Sequence, residues 1–288
     1  MVQSYSKKIL ITGGAGQLGS ALTRYLRKYY KVFSTSYNSD NPLDVTDKNK
    51  LNSVISSIEP DYIINCAALT NVDKNEINKK QAYSVNVDGI KNILSCSSKN
   101  TKIIHISSDY IFDGSRNSFT EEDAPNPLSY YGKVKLESEN ILRSSHRPYL
   151  IFRSSVIYND SHSNFYTWVY NSLLNNKRIE VVTDQISNPT WTWSLSEAIH
   201  KSLLNNLDGV FHYAGNDVLS RYDFALKIAN TFSFNSNNII PILTKDLDQL
   251  ASRPHRSVLD SNKIKKILKI NHPEIDYIIN VFKDRINE

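Results

Sequence analysis

A tyrosine and a lysine four residues apart, Tyr131 and Lys135, are the side chains of this chain best suited to acid–base chemistry. In a helix, residues at i and i+4 project from one face as neighbours. An ammonium beside a phenol favours the phenolate, so the spacing predicts a lowered pKa for Tyr131, from an ordinary value of about 10. Such a phenol can exchange a proton near neutral pH. Tyr130 has Val134 four residues on, so only Tyr131 has a lysine partner, although a fortuitous pair on a surface helix is the alternative.

A glycine-rich turn precedes this pair in the chain. Residues 12–19 read Thr-Gly-Gly-Ala-Gly-Gln-Leu-Gly and follow a short apolar run that predicts a buried strand. Gly13, Gly16 and Gly19 have the spacing GxxGxxG, and Gly14 gives GxGxxG as well. Glycines between a strand and a helix let backbone N–H groups approach a pyrophosphate at the helix N-terminus. The turn therefore predicts a dinucleotide site, with an ordinary glycine turn as the alternative.

The end of the second predicted strand bears on which dinucleotide is bound. Proteins that prefer NAD commonly place an Asp or Glu there, which binds the ribose 2′-hydroxyl. Here residues 35–38 read Thr-Ser-Tyr-Asn, and the first acid is Asp40. A 2′-phosphate meets no carboxylate at that position, so the sequence favours NADPH. NADH stays the alternative, because no arginine is visible to bind the phosphate.

Small and hydroxyl-bearing residues end two further predicted strands. Ala67 and Ala68 would let a cofactor pass close to the backbone, with ordinary strand-end packing as the alternative. Ser108 ends the next strand, and a hydroxyl there can hydrogen-bond a carbonyl oxygen that gains charge. Ligands of open α/β sheets gather at the carboxyl ends of strands. We therefore group Ser108 with Tyr131 and Lys135 as predicted catalytic residues, rather than as a cap of the following turn.

The elements that position these residues follow from hydrophobic periodicity. Strands and helices alternate strictly over about the first 150 residues, which predicts a Rossmann-type, doubly wound parallel sheet in an α/β fold. The regularity then weakens, and the remaining pieces predict a smaller C-terminal substrate-binding lobe. We expect an NAD(P)-binding domain over residues 1–160, with some later segments returning to it. A mainly substrate-binding lobe is expected over residues 161–288.

Composition disfavours several classes of function. The net charge of +5 is mild, and the lysines at 263–269 have the spacing of a solvated helix face, so no nucleic-acid partner is expected. No apolar run reaches about 18 residues, and the polar start is unlike a signal peptide, so no membrane partner is expected. Two cysteines outside any CxxC pair, and histidines without metal-binding spacing, predict a cytoplasmic protein without a metal site. His105, between two isoleucines, is interpreted as a packed strand residue.

The glycine turn, the strand-end serine and the Tyr-x-x-x-Lys pair resemble an extended short-chain dehydrogenase/reductase. Further motifs resemble the dTDP-4-dehydrorhamnose reductase family over nearly the whole chain. They are residues 16–19, 72–74, 107–114, 131–137, 164–165, 184–185 and 189–190, and Arg253-Pro254 with Ser257, Leu259 and Asp260. The most specific parts are Ser-Asp-Tyr-Ile-Phe-Asp-Gly and Arg-Pro-x-x-Ser-x-Leu-Asp.

The resemblance implies a role for each of these residues. Ser108 would polarise the C4 carbonyl of a nucleotide-linked 4-keto-6-deoxy sugar, Tyr131 would donate a proton to the C4 oxygen, and Lys135 would hold the nicotinamide ribose. The implied cofactor-binding residues are Gly13, Gly16, Gln17, Leu18, Gly19, Asp44, Ala67, Ala68, Tyr131 and Lys135. The implied substrate-binding residues are Asp109, Asn164, Phe165, Pro189, Thr190 and Arg253.

The chain departs from the family pattern on the substrate side. Val156 stands where the family has a tryptophan that would pack against the sugar, and residues 185–190 lack the family's glycine. The implied activity is NADPH-dependent reduction of dTDP-4-dehydro-L-rhamnose to dTDP-L-rhamnose, by a protein that could form a homodimer. Tyr110 stands where dehydratases carry a Glu, which disfavours dehydration. The alternatives are another sugar-nucleotide epimerase or reductase, and a non-catalytic NADP-binding subunit resembling the methionine adenosyltransferase β subunit.

Overall fold

The structure, a computed structural model, describes residues 7–37 and 42–287. Asn38 and Asp40, which entered the argument on cofactor choice, lie outside the described residues. The strands are β1 Lys8–Thr12, β2 Lys31–Thr35, β3 Tyr62–Asn65, β4 Lys102–Ser108, β5 Tyr149–Ser154, β6 Ile157–Tyr158, β7 Ile179–Val182, β8 Ile186–Ser187, β9 Thr190–Trp191, β10 Gly209–His212, β11 Leu219–Ser220 and β12 Ile239–Ile242. The α-helices are α1 Gln17–Leu26, α2 Lys48–Ile58, α3 Val72–Ile77, α4 Lys79–Tyr83, α5 Gly89–Cys96, α6 Tyr130–Arg143, α7 Phe165–Leu174, α8 Thr192–Leu204, α9 Arg221–Phe232, α10 Asn262–Leu268 and α11 Ile275–Asn287.

The main sheet is parallel and has the strand order β10-β5-β4-β3-β1-β2. After β1 the chain turns one way to β2, and it then returns on the other side of β1 to form β3. The crevice between β1 and β3 is therefore a topological switch point, where open α/β sheets bind ligands. The predicted fold class, a doubly wound parallel sheet, is confirmed.

Helices cover both faces of this sheet, which is why its inner strands are apolar on both sides. One face packs against α1 and α8, through Leu22 and Ile199 among others. The other face packs against α2, α5 and α6, through residues that include Leu51, Ile93 and Leu142. These two cores fix the carboxyl ends of β1, β3 and β4 at one edge.

The C-terminal part builds a second core from α7, α9 and α11 around Tyr166, Phe224 and Phe282, which are almost fully buried. The short pairs β6–β9, β7–β12 and β8–β11 surround it. β10 does not join these pairs, because it lies alongside β5 in the main sheet. A late segment thus returns to the first sheet, while the boundary at residue 160 stays a prediction.

The hydrophobic pattern of the sequence predicts a long helix over residues 79–99 and a final helix from residue 271, and the observed helices differ from both. The long helix expected over residues 79–99 is interrupted by a π-helical turn at Ser84–Asp88, just before Gly89 packs closely against Val45. The final helix, expected from residue 271, begins only at Ile275, two residues after a proline, where Asp217 accepts a hydrogen bond from the Ile275 N–H. No helix in the described part of the chain is long and apolar enough to cross a membrane.

Candidate active site

A cavity of about 580 Å³ opens at the carboxyl edge of β1, β3 and β4. The predicted site residues that line it are Gly13, Gly16, Gln17, Leu18, Gly19, Ala68, Ser108, Asp109, Tyr131 and Lys135. The fold therefore gathers the glycine turn, the strand-end serine and the Tyr-x-x-x-Lys pair around one space, although they are separated by up to about 120 positions in the sequence.

The glycine turn is built for close backbone approach. Gly13 has φ of +68°, and a Cβ on it would lie 2.6 Å from the backbone N of Ala67. Gly16 precedes α1 without capping it by a side chain, so the first N–H groups of the helix keep no side-chain partner there. A Cβ on Gly16 would meet only Gly13 O, at 3.2 Å. An open cradle of backbone N–H groups at a helix start fits a dinucleotide pyrophosphate.

Two of the predicted cofactor contacts do not line the cavity. Ala67 packs its backbone against Gly13 and belongs to the core below the turn. Asp44 accepts a hydrogen bond from the Thr46 N–H at 2.8 Å. In this arrangement Asp44 stabilises its own loop.

Helix α6 brings Tyr131 to the end of β4. Ser129 caps the helix by accepting a hydrogen bond from the Gly132 N–H at 3.2 Å. A Cβ on Gly132 would overlap the carbonyl oxygen of Tyr110, so only glycine allows this close approach. The Tyr110 and Tyr131 rings meet edge to face, with centroids 6.1 Å apart. The start of α6 is thus pressed against the strand end that carries Ser108.

The lowered pKa predicted for Tyr131 is wrong for this arrangement. Burial raises the pKa of Tyr131 above its ordinary value, and Asp109 adds to the rise, while the Ser108 hydroxyl opposes it. The Lys135 ammonium turns toward β4. Its Nζ donates to Ile106 O at 2.5 Å. Burial lowers the pKa of Lys135 to about 8, with Glu139 opposing. Tyr131 therefore holds its proton at neutral pH and is placed as a donor.

Asp109 is a buried junction at the same strand end. Its Oδ1 accepts a hydrogen bond from Ser108 Oγ at 2.9 Å. Its Oδ2 accepts from Ser155 Oγ at 2.8 Å and from Ser257 Oγ at 2.6 Å. Burial raises the pKa of Asp109, and the three hydroxyls oppose that rise. This carboxyl lines the cavity and also joins β4 to the segment after β5 and to a loop near the C-terminus.

Asn164 and Phe165 support the cavity from outside. Asn164 caps α7, accepting from the Thr167 N–H at 3.1 Å, and donates to the carbonyl oxygens of Asn159 and His162, both at 2.8 Å. Phe165 lies under the guanidinium of Arg221, 5.0 Å from its ring centroid. His162 and Arg221 themselves line the cavity. Neither predicted residue lines it, but each holds one that does.

The other predicted substrate residues also lie outside the cavity lining. Thr190 is fully buried and donates to Ser155 O at 2.6 Å, and Pro189 packs next to it. Arg253 donates to the Asp73 carboxylate through its two terminal guanidinium nitrogens, Nη1 at 3.1 Å and Nη2 at 2.8 Å. That ion pair joins α3 to the loop that carries the Arg-Pro-x-x-Ser-x-Leu-Asp motif.

Comparisons with known proteins agree with this arrangement. Residues 7–286 match the family described as RmlD substrate binding domain. The chain is 34% identical to a dTDP-4-dehydrorhamnose reductase of Aggregatibacter actinomycetemcomitans, over 91% of this chain and 94% of that protein. It is 27% identical to the β subunit of bovine methionine adenosyltransferase 2, over 91% and 83% of the two chains. A crystal structure of dTDP-4-dehydrorhamnose reductase from Bacillus anthracis in complex with NADP superposes with a TM-score of 0.91, at 29% identity, covering 97% of this chain and 99% of that one.

The chain belongs to the dTDP-4-dehydrorhamnose reductase family. The resemblance stated from the motifs is thereby confirmed. Sequence reasoning placed the glycine turn, Ser108, Tyr131 and Lys135 at the site, because their motifs are local and end on strands or begin helices.

The sequence did not indicate several groups in the C-terminal part of the chain that also line the cavity. They are His162, Ser163 and Arg221, which lie outside the motifs and join the site only through tertiary packing. Val156, noted as a departure from the family, also lines the cavity, with φ of +39°. A β-branched residue in that region is strained, as is common at functional sites.

Proposed function

We propose that the protein reduces the C4 ketone of a nucleotide-linked 4-keto-6-deoxy sugar with NADPH, and that dTDP-4-dehydro-L-rhamnose is its first candidate substrate. The general activity, reduction of a sugar nucleotide, follows from membership of the family. The observation that carries the proposal is the convergence of Ser108, Tyr131 and Lys135 on one cavity with the glycine turn. Tyr110, in place of a glutamate, leaves no carboxylate base for elimination at that position.

When bound, NADPH supplies the hydride that reaches C4 of the sugar. Tyr131 Oη carries the proton for the C4 oxygen, and its raised pKa keeps that proton in place at neutral pH. Ser108 Oγ–H now donates to Asp109, and the same hydroxyl can rotate to a carbonyl in the cavity. Lys135 keeps its charge below about pH 8 and supplies a positive field near the developing alkoxide.

The proposal gives the two parts of the chain different tasks. Residues 1–160 hold the dinucleotide, and residues 161–288 mainly select the sugar nucleotide. Asp109 contacts the substrate, whereas Asn164, Phe165, Pro189, Thr190 and Arg253 shape the walls of its site. A cytoplasmic location and a homodimer belong to the same proposal. Sedimentation velocity measures the oligomeric state, and a single monomer peak would contradict the proposed homodimer.

A regulatory subunit is the second candidate, favoured by the likeness to the β subunit of methionine adenosyltransferase 2 over most of both chains. A protein of that kind would keep the dinucleotide cradle and bind NADPH without consuming it. The Tyr131–Lys135 pair does not separate the two candidates, so turnover must decide.

The deciding experiment follows NADPH absorbance with a panel of dTDP-, UDP- and GDP-linked 4-keto-6-deoxy sugars. We expect turnover with the dTDP-linked 4-keto sugar and weaker or no turnover with the others. Turnover only with a UDP- or GDP-linked sugar would replace the substrate and keep the reaction. Saturable NADPH binding, followed by fluorescence, without turnover on any sugar would support the regulatory candidate.

A further inference from the structure

His105 lies at the centre of a buried polar chain that runs from β1 to α6. Thr12 Oγ1 donates to Asn65 Oδ1 at 2.7 Å. The amide nitrogen of Asn65 then faces His105 Nδ1 at 3.2 Å. With the Asn65 amide in this orientation its nitrogen donates to His105 Nδ1, which is then the accepting, unprotonated nitrogen. Thr12, Asn65 and His105 are each 3% exposed or less.

The second ring nitrogen of His105 must therefore carry the proton. His105 Nε2 lies 2.9 Å from Ser138 Oγ. That hydroxyl gives its own proton to Lys135 O at 2.6 Å, so it can only accept from the imidazole. Each group in the chain has a partner of the right kind only when His105 is neutral and protonated on Nε2.

This protonation pattern decides what the Lys135 ammonium can bind. Lys135 Nζ lies 3.4 Å from His105 Nε2, but a protonated Nε2 offers it no lone pair. The acceptor of Lys135 among the described residues is Ile106 O, so N–H groups remain for the cavity that Lys135 lines. The other tautomer would accept one of those N–H groups, and an imidazolium would place a second positive charge beside the first.

We propose that Thr12 and Asn65 lock His105 in the neutral Nε2–H tautomer, and that His105 is thereby a positioning residue that keeps the Lys135 ammonium directed into the cavity. The catalytic consequence rests on the proposed function of Lys135. The tautomer itself does not, and it can be measured whether or not the protein turns over a sugar.

The tautomer is tested by ¹⁵N NMR of protein labelled at its seven histidines, with His105→Gln identifying the His105 signals. We expect a neutral ring protonated on Nε2. Asn65→Asp replaces the donor to Nδ1 with a carboxylate, so it should draw a proton onto that nitrogen. A ring of the unsubstituted protein that is protonated on Nδ1, or on both nitrogens, would overturn the proposal.

Two variants of nearly equal size test the positioning role. Glutamine at position 105 can place its amide nitrogen where Nε2 lies and still donate to Ser138. Asparagine reaches only the position of Nδ1 and leaves Ser138 without its donor. We expect His105→Gln to keep kcat within a few-fold. His105→Asn should lower kcat by roughly tenfold, which is about the effect of losing the one hydrogen bond to Ser138. KM for the sugar nucleotide should change little in both.

A purely structural role predicts a different result. Both variants would then lower the melting temperature together and leave kcat equal in the two folded proteins, which would overturn the positioning role. If the unsubstituted protein turns over no sugar, NADPH affinity replaces kcat in this comparison. His105→Asn should then weaken NADPH binding more than His105→Gln, and equal affinities would count against the role.

Discussion

The sides of the cavity that we propose for the cofactor and for the substrate are built in different ways. On the cofactor side, the glycine turn and the residues that end β4 and begin α6 present themselves directly to the cavity. On the substrate side, Asn164 caps a helix, Thr190 donates a hydrogen bond to Ser155 O, and Arg253 forms an ion pair with Asp73. Of the groups that face the cavity there, His162 is held by a hydrogen bond from Asn164, and Arg221 lies over the ring of Phe165.

The difference shows how recurrent motifs can serve two purposes. A motif that binds a constant cofactor must itself make the contacts, because those contacts do not vary. A motif around the substrate can instead hold the backbone and position the neighbouring side chains that face the cavity. The Asp109 junction combines both, since it lines the cavity and also binds Ser155 and Ser257. Variants at Tyr131, Lys135, Gly16 and Arg253 test this division, in decreasing order of the effect that we expect.

Tyr131→Phe should lower kcat by about 10²–10⁴-fold, because it removes the proton donor and leaves the ring in place. Steady-state NADPH oxidation with the preferred 4-keto sugar measures the loss. Tyr130→Phe is the matched control, since Tyr130 begins the same helix and is absent from the cavity lining. Equal losses of kcat in the two variants would mean that the lysine four residues after Tyr131 does not mark it as the proton donor.

Activity should fall as the pH rises above about 8, because burial lowers the pKa of Lys135 to about 8 and the folded protein loses that proton above this pH. A kcat that depends on the ammonium drops about tenfold per pH unit there. In Lys135→Arg, the guanidinium keeps its charge past pH 12, so the residual activity should stay level over that range. A parallel decline in the arginine variant would assign the titration to another group.

Gly16→Ala should weaken NADPH binding by roughly tenfold, the effect of about 1.4 kcal/mol. The added Cβ meets only Gly13 O, at 3.2 Å, and otherwise projects into open space at the cradle. Gly13 O must shift slightly to admit this Cβ, so the free protein should lose little of its melting temperature while fluorescence titration records the lost affinity. Unchanged affinity would show that the pyrophosphate does not lie against this turn.

Removing the ion pair between Arg253 and Asp73 should affect stability more than catalysis. In a double-mutant cycle of Arg253→Ala and Asp73→Ala, urea unfolding should give a coupling of roughly 0.5–1 kcal/mol, since the pair is partly exposed and solvent screens it. KM for the sugar nucleotide should change less than a few-fold in every variant. A large rise in KM for Arg253→Ala alone would instead make Arg253 a direct substrate contact and remove the contrast between the two sides.

The sequence predicts the cofactor side well because its signals are local. Strand, turn and helix follow one another within residues 8–26, and Tyr131 and Lys135 share one helix. The topology of the sheet follows from β–α alternation, and strand ends then gather at one edge. These relations need no knowledge of distant contacts.

The substrate side depends on contacts between distant parts of the chain. Asp73 and Arg253 both belong to recognised motifs, but nothing local indicates that they bind each other across 180 positions. The direction in which Lys135 turns depends on the carbonyl of Ile106 in a neighbouring strand, and the raised pKa of Tyr131 depends on burial. The polar partners of His105 likewise come from two other elements, β3 and α6, so its isoleucine neighbours indicated only packing.

Transfer of deuterium from cofactor to sugar tests the central claim most directly. The protein is incubated with NADPH deuterated at the transferred C4 position and with dTDP-4-dehydro-L-rhamnose, and the product is analysed by mass spectrometry and NMR. We expect one deuterium on C4 of the reduced sugar, and we expect Tyr131→Phe, but not Tyr130→Phe, to abolish this transfer. Bound NADPH that delivers no deuterium to this or any other nucleotide-linked 4-keto sugar would contradict the central claim.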